Sequence, residues 1–194
     1  MKLLFTKRSP YARKVRIVAL EKEISLELVD ENLQNKSQRL LSANPLGKVP
    51  TLILDNGTTI YDSRVICQYL DSLNDQMIMI PRLGQERIEV LKWEALADDL
   101  ITAAINLYME KVRHPDDFHK EFVATLEKNI LTAYAYIDKN LSKLKDFNLA
   151  SAAIVSAIGY IHFRLPHLQA KGALLQWFEA ASKRTSIAQT IPVA

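Results

Sequence analysis

The chain is expected to fold as two domains, an α/β domain of order β-α-β-α-β-β-α followed by a domain made only of helices. Three observations predict this. Short apolar runs alternate with helical periodicity as far as residue 80. An Asp55-Asn56-Gly57 turn separates two strand-like runs. Beyond Pro81 no strand-like alternation remains, and long helical stripes take over.

The elements follow in order. Leu3-Leu4-Phe5 is a short apolar strand, closed by Ser9-Pro10. Ala12, Val15, Val18 and Ala19 recur at helical spacing over residues 11–21. Residues 25–30 alternate Leu26, Leu28 and Asp30 against Glu27 and Val29, which reads as a second strand. Residues 37–43 suit a short helix, ended by Asn44-Pro45-Leu46-Gly47. Thr51-Leu52-Ile53-Leu54 and Thr58-Thr59-Ile60-Tyr61 flank the Asn-Gly turn, whose residues accept the positive φ of a tight hairpin, so these runs should pair antiparallel. A helix over residues 63–73 carries Ile66, Tyr69, Leu70 and Leu73 on one side.

In the second half, Trp93, Leu96, Leu100, Ile101, Ala104 and Leu107 form one stripe over residues 84–113. His114-Pro115-Asp116-Asp117 breaks that helix, and Pro115 is expected in the first turn of the next. The next helix carries Phe122, Leu126, Ile130, Ala133, Ile137 and Leu141. Asn148 is expected to cap a third, nearly all-apolar helix by accepting the N–H of Ser151, and this helix should lie at the domain centre. Pro166 ends it, and a last helix spans residues 174–182. The domain boundary falls near residues 75–83, giving domains 1–76 and 83–194.

Composition narrows the function. A net charge of +3 is too mild to argue nucleic-acid binding. The basic cluster Lys7, Arg8, Arg13, Lys14 and Arg16 reads for the most part as a solvated helix face rather than as an anion-attracting field. Cys67 is the one cysteine, so no intrachain disulfide forms, which fits a reducing compartment. The apolar start is too short for a signal peptide, and the 149–161 run is too short to span a bilayer. The expectation is a soluble, cytoplasmic protein with neither a membrane nor a nucleic-acid partner. The four histidines have no metal-ligand spacing, and no phosphate-binding glycine loop is present, so neither a metal nor a nucleotide is expected.

Three segments of the first domain could converge on one site. Ser9-Pro10 opens a helix, where Ser9 is a cap and its hydroxyl could also face an anion such as a thiolate. Pro50 stands just before a hairpin strand. It is either a loop proline or a cis-proline that leaves the backbone of Val49 free to pair with an extended peptide. Asp62 or Ser63 caps the next helix, and the same geometry could hold a ligand carboxylate at Ser63 and an amino group at Asp62.

Ser-Pro-x-x-Arg-Lys-Val, Asn-Pro-x-Gly-Lys-Val-Pro and Asp-Ser at the third helix resemble bacterial glutathione S-transferases of the serine type. So do Trp93-Glu94-Ala95-Leu96-Ala97-Asp98 and Gly159-Tyr160-Ile161-His162-Phe163-Arg164. The likeness runs over nearly the whole chain. It implies a thioredoxin-like βαβαββα domain for glutathione and an all-helical glutathione-transferase C-terminal domain. It implies a transferase, a cytoplasmic homodimer serving detoxification, that conjugates glutathione to a small hydrophobic electrophile or uses it to reduce one. The alternative is a non-catalytic binding or regulatory module of the same fold. By the same resemblance Ser9 stabilises the thiolate, and Val49 beside structural Pro50 pairs with the cysteinyl backbone. Asp62 and Ser63 hold the γ-glutamyl end, Lys48 assists at a carboxylate, and Asp98 reaches the partner subunit's ligand. Glutathione is substrate, with no metal. Tyr11 and Tyr108 are candidate walls of the electrophile pocket, and each also reads as a packing residue.

The chain departs from the family at two places. It has no cysteine near Ser9-Pro10, and Cys67 sits inside a helix, which argues against thiol–disulfide chemistry through the protein. The buried helix pairs Asn148 with Ser151 where the family has Ser or Thr with Asp, so Ser151 brings no charge to the helix dipole.

Overall fold

The structure is a computed structural model describing residues 1–144 and 146–193. Strand β1 (Lys2–Phe5), helix α1 (Pro10–Glu21) and strand β2 (Glu27–Asp30) come first. Helix α2 (Gln38–Ala43), strands β3 (Thr51–Ile53) and β4 (Thr59–Ile60) and helix α3 (Ser63–Ser72) complete the α/β part. The four-stranded sheet has the order β2-β1-β3-β4, with β1 parallel to β2 and antiparallel to β3.

Strand β1 is apolar without alternation because helices cover both faces of the sheet at its centre. Leu3 and Phe5 join the main core with Val15 and Val18 of α1 and Ile66 and Leu70 of α3. Leu4 points the other way, onto Leu40 and Ala43 of α2. At the β2 edge Leu28 is 46% exposed, and Val29 is the residue that packs against the Leu4 cluster. In the hairpin only Gly57 takes a positive φ, of 84°. The Asn56 side chain instead accepts the Thr58 N–H at 3.0 Å, and the Gly57 N–H donates to the Leu54 carbonyl at 2.9 Å. The expected Asn-Gly pair of positive φ angles is therefore replaced by a turn whose single left-handed residue is the glycine.

The helical part comprises α4 (Gly84–Arg113), α5 (Lys120–Lys139), α6 (Leu149–Arg164), α7 (Gly172–Ser182) and α8 (Thr185–Ala188). Pro115 does not start α5 as expected. It lies in the connection, and His119 caps the helix by accepting the Phe122 N–H on Nδ1 at 3.1 Å. The helix starts where the His119 side chain can accept one of its first free N–H groups, five residues after the proline. Helix α6 is buried from Leu149 to Ile161 and packs between α4 and α1, as its all-apolar pattern requires. Its cap differs in detail, since Asn148 accepts from Ala150 at 2.9 Å and not from Ser151. The buried Ser151 hydroxyl turns back toward the Asp146 carbonyl at 3.4 Å. No described helix is long and apolar enough to cross a membrane.

Helix α8, which periodicity did not reveal, straps α1. Arg184 donates to both carboxylate oxygens of Glu21, and Arg16 donates to the Gln189 carbonyl at 3.1 Å. The basic cluster is accordingly not one solvated face. Lys7 and Arg8 are exposed, but Arg13 and Lys14 are buried between α1 and the helical part. Long cationic side chains occupy an interior seam here because the helix is covered on nearly every side.

Candidate active site

One cleft of about 520 Å³ opens between the sheet part and α4. Its floor is the loop from Asn44 to Pro50, one end is the β4–α3 turn at Tyr61–Arg64, and the opposite wall is Tyr11, Asp98 and Thr102. Lys48, Val49, Pro50, Asp62, Ser63 and Asp98, widely separated in sequence, are thus brought together. Ser9 does not line this cleft directly. It stands two residues before Tyr11, and its Oγ accepts the Ala12 N–H at 3.2 Å as the cap of α1. Its own O–H donates to no described residue. Asn148 and Ser151 lie at the start of α6, away from the cleft.

The loop is held rigid by Asn44. Its Nδ2 donates to the Lys48 carbonyl at 3.1 Å and to Thr51 Oγ1 at 3.2 Å, and its Oδ1 accepts the Leu46 N–H at 3.0 Å. The Val49–Pro50 bond is cis. Neither the N–H nor the C=O of Val49 bonds within the described residues, so the cleft presents an unpaired strand edge of one residue. At the start of α3, Asp62 Oδ1 accepts the Arg64 N–H at 3.0 Å. Ser63 Oγ and N–H have no partner among the described residues, which leaves a hydroxyl and a helix N-terminus for an anion.

Behind the cleft lies a buried charge network. Lys14 Nζ donates to Glu94 Oε1 at 2.8 Å and to both oxygens of Asp98 at 2.8 and 2.9 Å. Arg64 Nε donates to Asp98 Oδ2 at 2.8 Å. Two cations and two carboxylates balance, which is what allows Lys14 to be fully buried. Burial opposes its charge, but the surrounding groups, Asp98 and Glu94 among them, outweigh burial and hold its pKa above the ordinary value. The hydrogen bond to Asp98 raises the Arg64 pKa, and the Arg64 side chain stays 44% exposed in the cleft with both Nη groups free of described partners. Asp98 thus bonds Lys14 and Arg64 of its own chain while still lining the cleft.

Thr102 Oγ1 donates to the Asp98 carbonyl at 2.9 Å, so the 2.7 Å bond between Tyr11 and Thr102 carries the Tyr11 proton. Burial raises the Tyr11 pKa, and the phenol stays protonated. Tyr11 therefore offers the cleft an acceptor oxygen and an aromatic face. Arg64, Asn44, Thr102, Lys14 and Glu94 were missed in the sequence. The one signal for Arg64 was its place directly after Asp62-Ser63, where a helix first turn returns the side chain to the cleft.

Residues 3–77 match the glutathione S-transferase N-terminal domain family. The chain is 36% identical over 170 residues to the GST-like protein YibF of Escherichia coli K12, covering 84% of this chain and 83% of that one. The chain belongs to the glutathione S-transferase family. A solved glutathione S-transferase of Methylobacillus flagellatus KT with glutathione bound superposes with TM-score 0.93 at 36% identity, over 99% of both chains. A family member from Pseudomonas fluorescens Pf-5, also with bound glutathione, gives 0.91 at 32% identity over 100% of this chain and 99% of that one.

In this family member the α/β part is thus thioredoxin-like and the rest is the family's helical domain. Cys67 is fully buried against Lys14, and burial pushes its thiol far up, so the thiolate is not formed at neutral pH. Among the described residues no group of three His, Cys, Asp or Glu side chains could hold a metal ion.

Proposed function

We propose that this glutathione S-transferase binds glutathione extended across the cleft and activates its thiol for attack on a small hydrophobic electrophile. The observation that carries the reading is the unpaired backbone of Val49 facing the unpaired N-terminus of α3 in one cleft. An extended tripeptide pairs its cysteinyl backbone with Val49, as one added strand residue. Its γ-glutamyl carboxylate meets Ser63 and the α3 N-terminus, beside the charged Arg64, and its amino group meets Asp62. Lys48 holds the other carboxylate. The relatives with bound glutathione support this assignment.

Ser9 is the proposed thiolate donor. Its oxygen already accepts a backbone N–H, which leaves the O–H free to donate to an anion placed at the α1 N-terminus. Lowering the thiol pKa by about one unit raises the thiolate fraction several-fold at neutral pH. The thiol proton leaves to solvent and a sulfur–carbon bond forms. The leaving group departs with the bonding pair, or an adjacent carbon takes a proton when the electrophile is an activated double bond. Use of glutathione as reductant would consume a second tripeptide and release its disulfide.

Two measurements test the reading. Glutathione is expected to raise the melting temperature, and Ser9→Ala to lower kcat on responsive electrophiles while glutathione affinity changes little. Full activity in Ser9→Ala removes that residue's role, and binding without turnover on any electrophile supports the binding-module alternative. We further propose a cytoplasmic homodimer serving detoxification. Exposed Tyr61 and Val65 and the apolar groove at Leu96, Ala103 and Tyr136 form its self-complementary face, with mass by light scattering as the check.

A further inference from the structure

At the end of α6 stands a cation that no carboxylate among the described residues neutralises. Arg164 is the last residue of α6. Its Cζ lies 4.8 Å from the ring centre of Tyr108 and 4.3 Å from that of Phe163, and its Nε is shut off from solvent without a hydrogen-bond partner. No carboxylate pairs with it among the described residues. The other enclosed cations differ. Lys14 and Lys22 are fully bonded, and Arg13 is wedged against Gly159 with no room for a ligand.

Tyr108 follows Thr102 by six residues on α4, about 9 Å along the axis and a third of a turn round it, and the link to the cleft runs through Tyr160, which feels both Arg164 and the cleft residue Tyr11. Tyr160 sits among the same groups. Burial pushes its phenol up, the charge of Arg164 and a hydrogen bond from it pull it back, and the Tyr108 and Tyr11 phenols add to the rise. Tyr108, Tyr160 and Phe163 thus crowd one guanidinium that has no carboxylate partner among the described residues, and exposed Lys7 and Arg8 on the turn before Ser9 add to the positive field.

We propose that Arg164 is a specificity-determining anion site and that the second substrate is an electrophile carrying a carboxylate on an apolar, aromatic-sized frame. This rests on the reading that glutathione occupies the cleft. A half-buried charge without a partner costs free energy, and a ligand carboxylate repays it through the planar fork that guanidinium presents. The rings fix the plane of that fork by stacking and cover the apolar frame.

Calorimetric titration of the full chain with two product conjugates tests this. The probes are S-(2,4-dinitrophenyl)glutathione and S-(4-carboxy-2,6-dinitrophenyl)glutathione, with glutathione itself as the third titrant. The carboxylated conjugate is expected to bind roughly tenfold tighter, the difference a charge-assisted bond supplies. That preference should shrink at high salt, collapse in Arg164→Gln and return in part in Arg164→Lys, with melting temperatures reporting the fold of each variant. Equal binding of the two conjugates by the unaltered chain overturns the proposal, as does a preference that survives Arg164→Gln. If Arg164→Gln does not fold, the salt dependence of the preference and the Arg164→Lys value decide. Binding of glutathione without any preference sinks the anion site alone, whereas no binding of glutathione sinks the underlying reading and the anion site with it.

Discussion

Lys14 donates to both oxygens of Asp98, at 2.8 and 2.9 Å, across the seam between the sheet part and α4. The same carboxylate holds Arg64 at 2.8 Å, so one buried charge fixes the side chain that the cleft presents. Asp98→Asn is expected to cost about 3–5 kcal/mol in urea unfolding, because it leaves Lys14 and Arg64 with Glu94 as the one remaining carboxylate of the network. Lys14→Met combined with Asp98→Asn should cost less than the sum of the two single changes, since that sum counts the lost Lys14–Asp98 contact twice.

Glu21 gives the fold a pH dependence. Burial raises its pKa, but hydrogen bonds from Arg184 and Ser186 outweigh this and leave it below the ordinary 4.5. A depressed carboxylate pKa contributes stability above the unfolded value, and that contribution fades as pH falls through the folded value. The melting-temperature gap between the unaltered chain and Glu21→Gln should hold steady above about pH 5 and close as the pH drops below the unfolded carboxylate range. A gap unchanged down to pH 3 would show that the α8 strap does not depend on this charge.

Gly159 leaves space for Arg13. A Cβ there would overlap Arg13 Nη1, and Arg13 is only 4% exposed. Gly159→Ala is expected to destabilise by about 1–3 kcal/mol, the range for overfilling a packed interior. Arg13→Met in the same chain should recover much of that loss, since the shorter, uncharged side chain vacates the contact. Differential scanning fluorimetry on the two variants and the unaltered chain reads this directly.

Lys22 closes the far end of α3. Its Nζ donates to the carbonyls of Asp71, Asn74 and Met77 at 2.9, 2.5 and 2.8 Å, and to Asp71 Oδ1 at 3.2 Å. Lys22→Met should cost about 2–4 kcal/mol by leaving these acceptors without a donor. Hydrogen exchange should report the loss as faster opening around residues 71–80 rather than at the hairpin.

Much of the site was legible as segments. Asn-Pro-x-Gly-Lys-Val-Pro and Asp62-Ser63 marked a loop and a helix start by local chemistry, and local chemistry is what a linear pattern records. Arg64 and Asp98 were another matter. Their meaning is a bond between residues 34 positions apart, which has no period and no spacing rule. The buried state of Arg13 and Lys14 was hidden for the same reason, since a cationic stretch on a helix reads as solvated until the carboxylates of another helix are known to face it.

Local signals alone determined the alternation of strand and helix, the Asn-Gly hairpin, the full length of α4 and the central place of α6. Each follows from side-chain period, turn stereochemistry or total apolarity, properties a residue carries with its near neighbours. Only the tertiary structure decided which face of β2 is covered, which residue caps α5, that α8 straps α1, and that Arg164 has no carboxylate partner among the described residues while Lys14 has two. Those outcomes depend on which distant group arrives to share a hydrogen bond or exclude water, and the free energy of a charge is set by that arrival rather than by its place in the chain.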